Sequence, residues 1–244
     1  MIKTEVAREL PFLKYIDKSK VEQYKDYFST APDWLIESLK LEQLEKDVIF
    51  VRENLPVDNV YFVVKGSIEA VDYRFQGIVY EFMRFDKVYA MGGMEYIMGK
   101  EDYGTTLRTV TKCNVIKLPK KDFAKWMDSD ITALKKEAQR VSEYLFEDAR
   151  NGRAFLFLNG EERIAMVLSE RYEKYSRHGI LNVKGGRQRL ANATGVCLKT
   201  VQRAINKLID QDYITQDGTR LSVNEEQYKK LKSIVTKQVD IEWK

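Results

Sequence analysis

Histidine and cysteine are nearly absent from this sequence of 244 residues: there is one histidine, His178, and two cysteines, Cys113 and Cys197. These residues cannot supply the ligand set of a typical zinc site, and they exclude a disulfide framework. A Ser-His-Asp triad would need His178, which stands in "YSRHGIL" without a nucleophile motif nearby. We therefore expect no enzymatic activity, no metal and no cofactor, and we interpret His178 as an exposed loop residue.

Long apolar runs are also missing. No stretch of eighteen apolar residues occurs, and the N-terminal "MIKTEVARELPFLKYIDKSK" is interrupted by charges at every turn. Neither a membrane span nor a secretory signal peptide is expected, so a cytoplasmic location is the default. With 44% hydrophobic and 32% charged residues, the composition is typical of a globular protein with one large domain or two ordinary ones.

Acidic residues are absent from one segment, 177–208, although the formal net charge of the whole chain is only +4. The basic residues of this segment are Arg177, Lys184, Arg187, Arg189, Lys199, Arg203 and Lys207. A local positive field in an otherwise balanced chain predicts a phosphate-binding surface.

The apolar pattern changes along the chain. The first forty or so residues have helical spacing, whereas five later stretches are β-branched and aromatic and are separated by turn signals. These stretches are "VIFVREN", "VYFVVKGSIEAVDYR", "GIVYEFMRF", "KVYAMGG" and "TTLRTVTKCNVIKLP". Short strands at this rhythm predict an antiparallel β-barrel or sandwich.

A helical pattern returns from Asp122 to about Gly152. Its apolar positions are separated alternately by three and four residues, which is typical of a coiled-coil seam. They are Ile131, Leu134, Ala138, Val141 and Leu145. This stripe either packs on its own barrel or pairs with a second copy, and we favour the homodimer. With a hinge at Phe155–Asn159, the predicted domains are 1–121, 122–154 and 155–244.

The segment 187–208, "RQRLANATGVCLKTVQRAINKL", has the pattern of a helix-turn-helix. Leu190 and Ala191 are predicted to face inward, and Gly195 is suited to the turn because glycine tolerates a positive φ. The buried side of the second helix is predicted to be Val196, Val201, Ile205 and Leu208, and its outward side Leu198, Lys199, Gln202, Arg203 and Asn206. The following "YITQDGTRLSV" predicts a hairpin, which makes the winged form.

The order of these parts resembles the Crp/Fnr family of bacterial transcription factors. The resemblance is carried by "RQRLANATGVCLKTVQRAINKLIDQDYI", "VIFVRENLPVDNVYFVVKGSIEA" and "ERIAMVLSE". It implies an α+β fold with an N-terminal antiparallel β-barrel like the cyclic-nucleotide-binding jelly roll, a long dimerisation helix and a C-terminal winged helix-turn-helix. It also implies a homodimer that binds palindromic double-stranded DNA and, for an activator, RNA polymerase.

The recognition helix departs from the family. The family commonly begins it with Ser-Arg-Glu-Thr, where this chain has Cys197, Leu198, Lys199 and Thr200. A leucine cannot hydrogen-bond to a base but can contact a thymine methyl, which predicts a more A·T-rich half-site, whereas Arg203 matches a family arginine and is the best candidate base reader. The candidate DNA-binding residues are Arg187, Gln188, Cys197, Leu198, Lys199, Thr200, Gln202, Arg203, Thr219 and Arg220.

The barrel departs as well. In the cyclic-AMP receptors of the family, a Gly-Glu pair and an Arg-Ser pair hold the ribose and the phosphate; here Gly93 replaces the glutamate, and Tyr103 and Gly104 replace the second pair. Without that arginine, cyclic AMP is not expected to bind. An unidentified small effector, a protein partner or constitutive DNA binding remain as alternatives. The candidate pocket residues are Gly92, Gly93, Met94, Tyr103, Gly104 and Thr105.

The two cysteines receive different interpretations. Cys113 stands in a predicted strand and is interpreted as a small buried side chain. Cys197 stands at the predicted N-cap, where a thiol caps poorly and basic neighbours lower its pKa, so a redox switch is the alternative to a plain substitution. A sensor that acts through protein contacts, without DNA, is the alternative function, and a cupin-like enzyme is disfavoured by the lone histidine.

Overall fold

The computed structural model describes residues 12–75, 78–84, 88–183 and 185–239. The chain forms two units. The first consists of the residues up to Asp72 together with Phe82–Leu145, and the second of Tyr73–Glu81 together with the residues from Phe146 onward. One boundary of this division, between Leu145 and Phe146, falls within a long helix, and the boundaries expected from the sequence stay a prediction.

Short helices and antiparallel strands precede the long helix, and most of their residues belong to the first unit. After 3-10 turns at Leu13–Tyr15 and Lys18–Lys20, the order is α1 (Val21–Tyr27), α2 (Asp33–Ser38), β1 (Lys40–Leu44), β2 (Ile49–Val51), β3 (Asn59–Lys65), β4 (Ile68–Phe75) and β5 (Ile78–Arg84). The chain continues through α3 (Gly93–Ile97), β6 (Thr106–Thr109), β7 (Cys113–Pro119), α4 (Lys120–Ser129) and α5 (Ile131–Phe157). One sheet has the strand order β1-β7-β3 and the other has the order β2-β6-β4-β5.

Strand β3 is buried on both faces because its β-branched and aromatic residues alternate between two cores. Val60, Phe62 and Val64 lie in a core with the aromatic side chains of α1 and α4. Val63 belongs to a second core, which contains Leu107 and other residues of both sheets. The first unit is therefore a double-sheeted roll with a helical layer on one side.

The interpretation of "KVYAMGG" as a strand is wrong. In this stretch Met91 makes a single bridge to Tyr61, with both N–H···O distances at 2.9 Å. Gly92 then has a φ of 102°, which glycine tolerates best, and the chain turns into α3. Strand β1, in contrast, was not predicted. It is held by pairing with β7, a long-range contact that local spacing does not reveal.

The region predicted as one helix from Asp122 contains two helices, separated at Asp130. Asp130 has an extended backbone, and its Oδ1 accepts hydrogen bonds from the N–H groups of Thr132 at 2.9 Å and Ala133 at 3.2 Å. An N-cap of this kind satisfies the first free N–H groups of a helix. Ile131, the first seam residue, is consequently the first residue of α5.

The second unit contains α6 (Gly160–Tyr175), β8 (Ile180–Val183), α7 (Gly186–Thr194), α8 (Leu198–Asp210), β9 (Thr215–Asp217), β10 (Arg220–Asn224) and α9 (Glu225–Val239). Its small antiparallel sheet has the strand order β8-β10-β9. The helices and the sheet share one core, in which Ile164, Val167 and Leu168 of α6 are all buried.

The predicted hinge at Phe155–Asn159 corresponds to a break of two residues between α5 and α6. The Asn159 side chain accepts from the backbone of Glu161 and Glu162, and the Glu162 carboxylate accepts from the Asn159 N–H at 2.8 Å, which makes a capping box. Arg163 donates to the carbonyl oxygens of Phe155 at 2.7 Å and of Leu158 at 3.0 Å. Local hydrogen bonds therefore hold this break.

The predicted α+β class is confirmed, with an N-terminal antiparallel roll, a long helix and a C-terminal winged helix-turn-helix. In the part of the chain that the structure describes, no helix combines the length and the apolar character that crossing a bilayer requires.

Candidate DNA-binding surface and effector cavity

Helices α7 and α8 form the predicted helix-turn-helix. Gly195 follows α7 with a φ of 67°, and its N–H donates to the carbonyl of Ala191 at 3.0 Å. The Thr194 hydroxyl donates to the carbonyl of Leu190 at 2.7 Å, which satisfies another carbonyl of the last turn. The glycine was predicted for this position because an L side chain is strained there.

The two faces of α8 differ as predicted from their spacing. Val201, Ile205 and Leu208 are completely buried, and Val196 packs on the same core from the turn. Of the residues predicted to face outward, Leu198, Lys199, Arg203 and Asn206 are exposed and Gln202 is half-buried. Since the buried face fixes the rotation of the helix, the exposed face is presented in one defined orientation.

Leu198 is the unusual member of this face. It is the first residue of α8, and 48% of its surface is exposed. Its neighbours on the same face are polar: Gln202 donates to Asn206 at 2.8 Å, and the guanidinium of Arg203 is exposed. A large apolar side chain therefore stands at the N-terminal end of the helix, beside cations.

Cys197 is the N-cap of α8 and makes no side-chain capping hydrogen bond, as expected for a thiol. Its sulfur lies 3.3 Å from the Thr200 hydroxyl, and hydrogen bonding by Thr200 lowers the pKa of the exposed thiol. The direction of the shift was predicted, but its main cause is this hydrogen bond and the coulombic effect of Arg203 is minor. The methyl group of Thr200 lies against Gly160 of α6, so Thr200 is half-buried.

Helix α7 presents two candidate residues differently. Gln188 is exposed and donates to Asn192 at 3.0 Å. Arg187 is half-buried and donates to Gln216 of β9 at 3.0 Å. Arg187 thus connects α7 to the wing, a positioning contact that the sequence did not indicate.

The wing is the hairpin of β9 and β10. Arg220 pairs with Asp217 across the turn, and Gly218 has a φ of 56°. Thr219 and Arg220 are both exposed at this end of the sheet, where the DNA-contact prediction places them. His178, in the turn before β8, is exposed and has a φ of 52°, so its interpretation as a loop residue is confirmed.

The remaining basic residues of the acid-free segment are not equivalent. Lys207 lies 2.7 Å from the Glu161 carboxylate of α6, which partly neutralises that end of α8. Lys184 lies outside the described residues. The cations of α8 without such an acidic neighbour in the described contacts are Lys199 and Arg203, at its N-terminal half.

The predicted seam lies on α5. Ile131 and Leu145 are 64% and 46% exposed, whereas Leu134, Ala138 and Val141 are half-buried. A different stripe of α5, which includes Ala133 and Glu137, is buried against the roll. The seam therefore borders the packed face, and its contact with a second copy stays a prediction.

A cavity of about 60 Å³ opens in the first unit, beside α5. Four of the predicted pocket residues line it: Gly92, Met94, Tyr103 and Thr105. Two others do not. A Cβ on Gly93 would lie 2.5 Å from Glu137 Oε1 and 3.2 Å from Phe123, so Gly93 faces α4 and α5 closely. Gly104 lies behind the wall, where its N–H donates to Glu95.

Sequence reasoning missed the two acids of the cavity, Glu95 and Glu137, which are only 3% and 2% exposed. Oε1 of Glu95 accepts from the Gly104 N–H at 2.9 Å, and Oε2 of Glu137 accepts from the Tyr27 hydroxyl at 2.7 Å. Burial raises the pKa of Glu137 to about 7, against smaller lowering effects of Tyr27 and Arg140. The sequence signal that could have identified such an acid is a glutamate that stands between apolar residues of a helical stripe.

Cys113 lies in the second core of the first unit, where its thiol donates to the carbonyls of Thr111 at 3.2 Å and Ser67 at 3.3 Å. Burial raises the pKa of this thiol. The interpretation of Cys113 as a small buried side chain is confirmed.

Residues 41–130 match the family model of the cyclic nucleotide-binding domain. No curated protein matches this chain in sequence. Among solved structures, the chain is similar to the c-di-GMP responsive global regulator CLP of Xanthomonas campestris, with 16% identity, a TM-score of 0.69 and coverage of 85% of this chain and 99% of that one.

Two further structures have the same fold. TTHA1359, a CRP/FNR-family transcriptional regulator of Thermus thermophilus, shares 21% identity with a TM-score of 0.66, over 82% of this chain and 100% of that one. FixK2 of Bradyrhizobium japonicum shares 19% identity with a TM-score of 0.64, over 79% and 96%. The chain thus contains a match to the cyclic nucleotide-binding domain at residues 41–130 and has the fold of these solved structures over most of its length.

Proposed function

We propose that this chain is a homodimeric transcription regulator that binds palindromic double-stranded DNA through α8 and the wing. The observation that carries the proposal is the division of α8 into a fully buried face, with Val201, Ile205 and Leu208, and an exposed face with Leu198 and Arg203. A helix of this kind fits the major groove, which admits one α-helix.

The exposed face supports a mixed mode of base recognition. Arg203 can donate two hydrogen bonds to a guanine, and each good bidentate pair is worth about 1–3 kcal/mol of discrimination. Leu198 can contact a thymine methyl, and Lys199 can donate to a base or a phosphate. The half-site should therefore contain a guanine next to A·T pairs.

Self-association is the second part of the proposal. Ile131 and Leu145 leave large apolar surfaces in water in the single chain, and a second copy of α5 would cover them. Two recognition helices would then read half-sites about 34 Å apart, one helical turn of DNA. An effector in the cavity would change the DNA affinity, and RNA polymerase would be a further partner of an activator.

Selection from a random double-stranded pool, followed by gel shift of the wild type and of two variants, tests DNA binding. Arg203→Ala should lose about ten- to a hundredfold in affinity for the selected palindrome, because one base contact of about 1–3 kcal/mol is removed. Lys207→Ala is the matched control: it removes the same charge from the same helix, but at a lysine already paired with Glu161. It should keep the sequence preference.

Failure to enrich any palindrome, or equal losses for the two variants, would contradict the proposal. A chain that binds a small ligand but no DNA at low ionic strength would instead be a sensor that acts through protein contacts. Analytical ultracentrifugation of Ile131→Asp and Leu145→Asp tests the seam: both should shift the wild-type dimer to monomer, and a monomeric wild type would contradict it.

A further inference from the structure

The cavity of the first unit is acidic where a cyclic-nucleotide site would be cationic. Glu95 and Glu137 line it, and among the residues whose side chains the structure describes, no lysine, arginine or histidine does. An anionic phosphate placed here would face buried carboxylates at short range, where repulsion is poorly screened. The charge of the described part of the lining therefore disfavours the ligand class that gives the domain its name.

Each of the two carboxylates is held by a neighbouring hydrogen-bond donor. Glu95 is fixed by the backbone N–H of Gly104 and Glu137 by the hydroxyl of Tyr27. The cation that acts on Glu137 is Arg140, but its guanidinium donates to the Val88 carbonyl at 3.1 Å and to Asp26 at 3.2 Å. Buried carboxylates are costly without a paired cation, so a cation from outside would be bound favourably.

The rest of the lining suits an organic cation. The tyrosines Tyr89, Tyr103 and Tyr144 contribute to the wall, and the rings of Tyr89 and Tyr144 meet edge to face with their centroids 6.1 Å apart. Tyrosine faces attract ammonium groups within about 6 Å. Val51, Leu107 and Val141 add aliphatic surface for an apolar body.

We propose that this cavity binds a small alkylammonium ion, with its charged group between Glu95 and Glu137 and its alkyl group against the aliphatic wall. The volume of about 60 Å³ limits the ligand to a few heavy atoms. The claim that this cation is the effector rests on the proposed DNA-binding function, whereas the binding of the cation itself does not.

Three probes that share an isopropyl group test the charge preference: isopropylamine, 2-propanol and isobutyrate. Calorimetric titration of the full-length protein, with sodium chloride as the ionic-strength control, should give the tightest binding for the amine, by about tenfold or more over the alcohol, the equivalent of one modest charge interaction. No binding is expected for isobutyrate or cyclic AMP. The proposal is overturned if either anion binds as tightly as the amine, or if the folded protein binds none of the three.

Isosteric variants locate the site. Glu95→Gln and Glu137→Gln should each weaken amine binding by about tenfold, because each removes one buried charge while keeping the side-chain shape. Glu143→Gln, on the exposed side of the same helix α5, is the matched control and should bind as the wild type does. Equal affinity of all three variants, with circular dichroism showing them folded, would rule out this cavity as the amine site.

A separate gel shift with and without isopropylamine tests the coupling. Amine binding that changes the DNA affinity of the wild type, but not that of Glu95→Gln, would support the effector role. Amine binding without any DNA binding would contradict the proposed function but support the amine site. DNA binding without amine binding would contradict the amine site but support the proposed function.

Discussion

The candidate DNA-binding surface and the cavity of the first unit both contain charged side chains, but they place them in opposite surroundings. Arg203 and Lys199 are cations in water on one face of α8, whereas Glu95 and Glu137 are carboxylates removed from water in the first unit. An exposed charge can be read from the spacing of a single helix. The surroundings of a buried charge depend on elements that are distant in sequence. The sequence therefore predicts the exposed surface better than it predicts the cavity.

A leucine pair within α8 gives the largest expected effect. Leu208→Ala should cost about 2–5 kcal/mol of stability of the second unit, because it leaves a cavity in a closed core. Leu198→Ala should change stability by less than about 0.5 kcal/mol, because this side chain is half-exposed, but it should reduce the preference for thymine. Hydrogen–deuterium exchange of α8 measures the first effect and DNA selection the second; reversed results would invert the assignment of the two faces.

The pH dependence of the stability of the first unit tests the buried carboxyl group of Glu137. The pKa of Glu137 is about 7 in the folded protein and 4.5 for the free side chain, so the folded state prefers the protonated form. This contribution is fully present below pH 4.5 and is lost as the pH rises through 7, by about 3 kcal/mol in total. Beside Glu137 lie Tyr27 of α1 and Arg140 of its own helix, and Glu95 shares the cavity.

Denaturation followed by tryptophan fluorescence in a Trp243→Phe background measures this dependence, since Trp34 and Trp126 then report on the first unit. Glu137→Gln should remove the loss between pH 4.5 and 7, because the amide cannot ionise. An unchanged pH profile in that variant would contradict the prediction.

Alanine substitutions at two glycines compare a packed position with an exposed one. Gly93→Ala should cost about 1–3 kcal/mol, because its Cβ would lie 2.5 Å from Glu137 Oε1 and 2.8 Å from Ala90 Cβ. Gly152→Ala should instead stabilise α5 by roughly 0.5–1 kcal/mol, since nothing lies within 4 Å of its Cβ. Thermal unfolding of the two variants compares them, and a tolerated alanine at Gly93 would show that the interior can relax.

The smallest effect concerns the N-cap of α8. Cys197→Ser should raise the Tm of the second unit by roughly 2–4 °C, because a serine oxygen is a stronger acceptor than the thiol for the N–H groups of the first helical turn, where the thiol makes no side-chain capping bond. Thermal denaturation followed by circular dichroism at the helix band measures it. A lower Tm of the serine variant would show that the thiol contributes more than a missing cap.

The helix-turn-helix was predictable almost residue by residue. Apolar spacing gave the buried face of α8, and Gly195 marked the turn, because both depend on local geometry. Strand β1, the break at Asp130 and the pairing of Arg187 with the wing were not predictable, since each depends on a partner or a cap that spacing does not encode.

The cavity was half predicted. The resemblance located Tyr103 and Gly92 on its wall, but it also included Gly93 and Gly104, which the structure places behind it. Glu95 and Glu137 are far apart in sequence and line the same cavity only because α5 lies beside α3. Neither acid was predicted, because the spacing within one helix does not show which distant residues line the same cavity.

Val141 belongs to two surfaces at once: it is a member of the predicted seam and it lines the cavity. One isopropyl group therefore touches whatever fills the cavity and, in the proposed dimer, the opposite subunit. Ligand binding in the cavity and dimer formation would then involve the same methyl groups. The ligand affinity should therefore vary with protein concentration even in the absence of DNA.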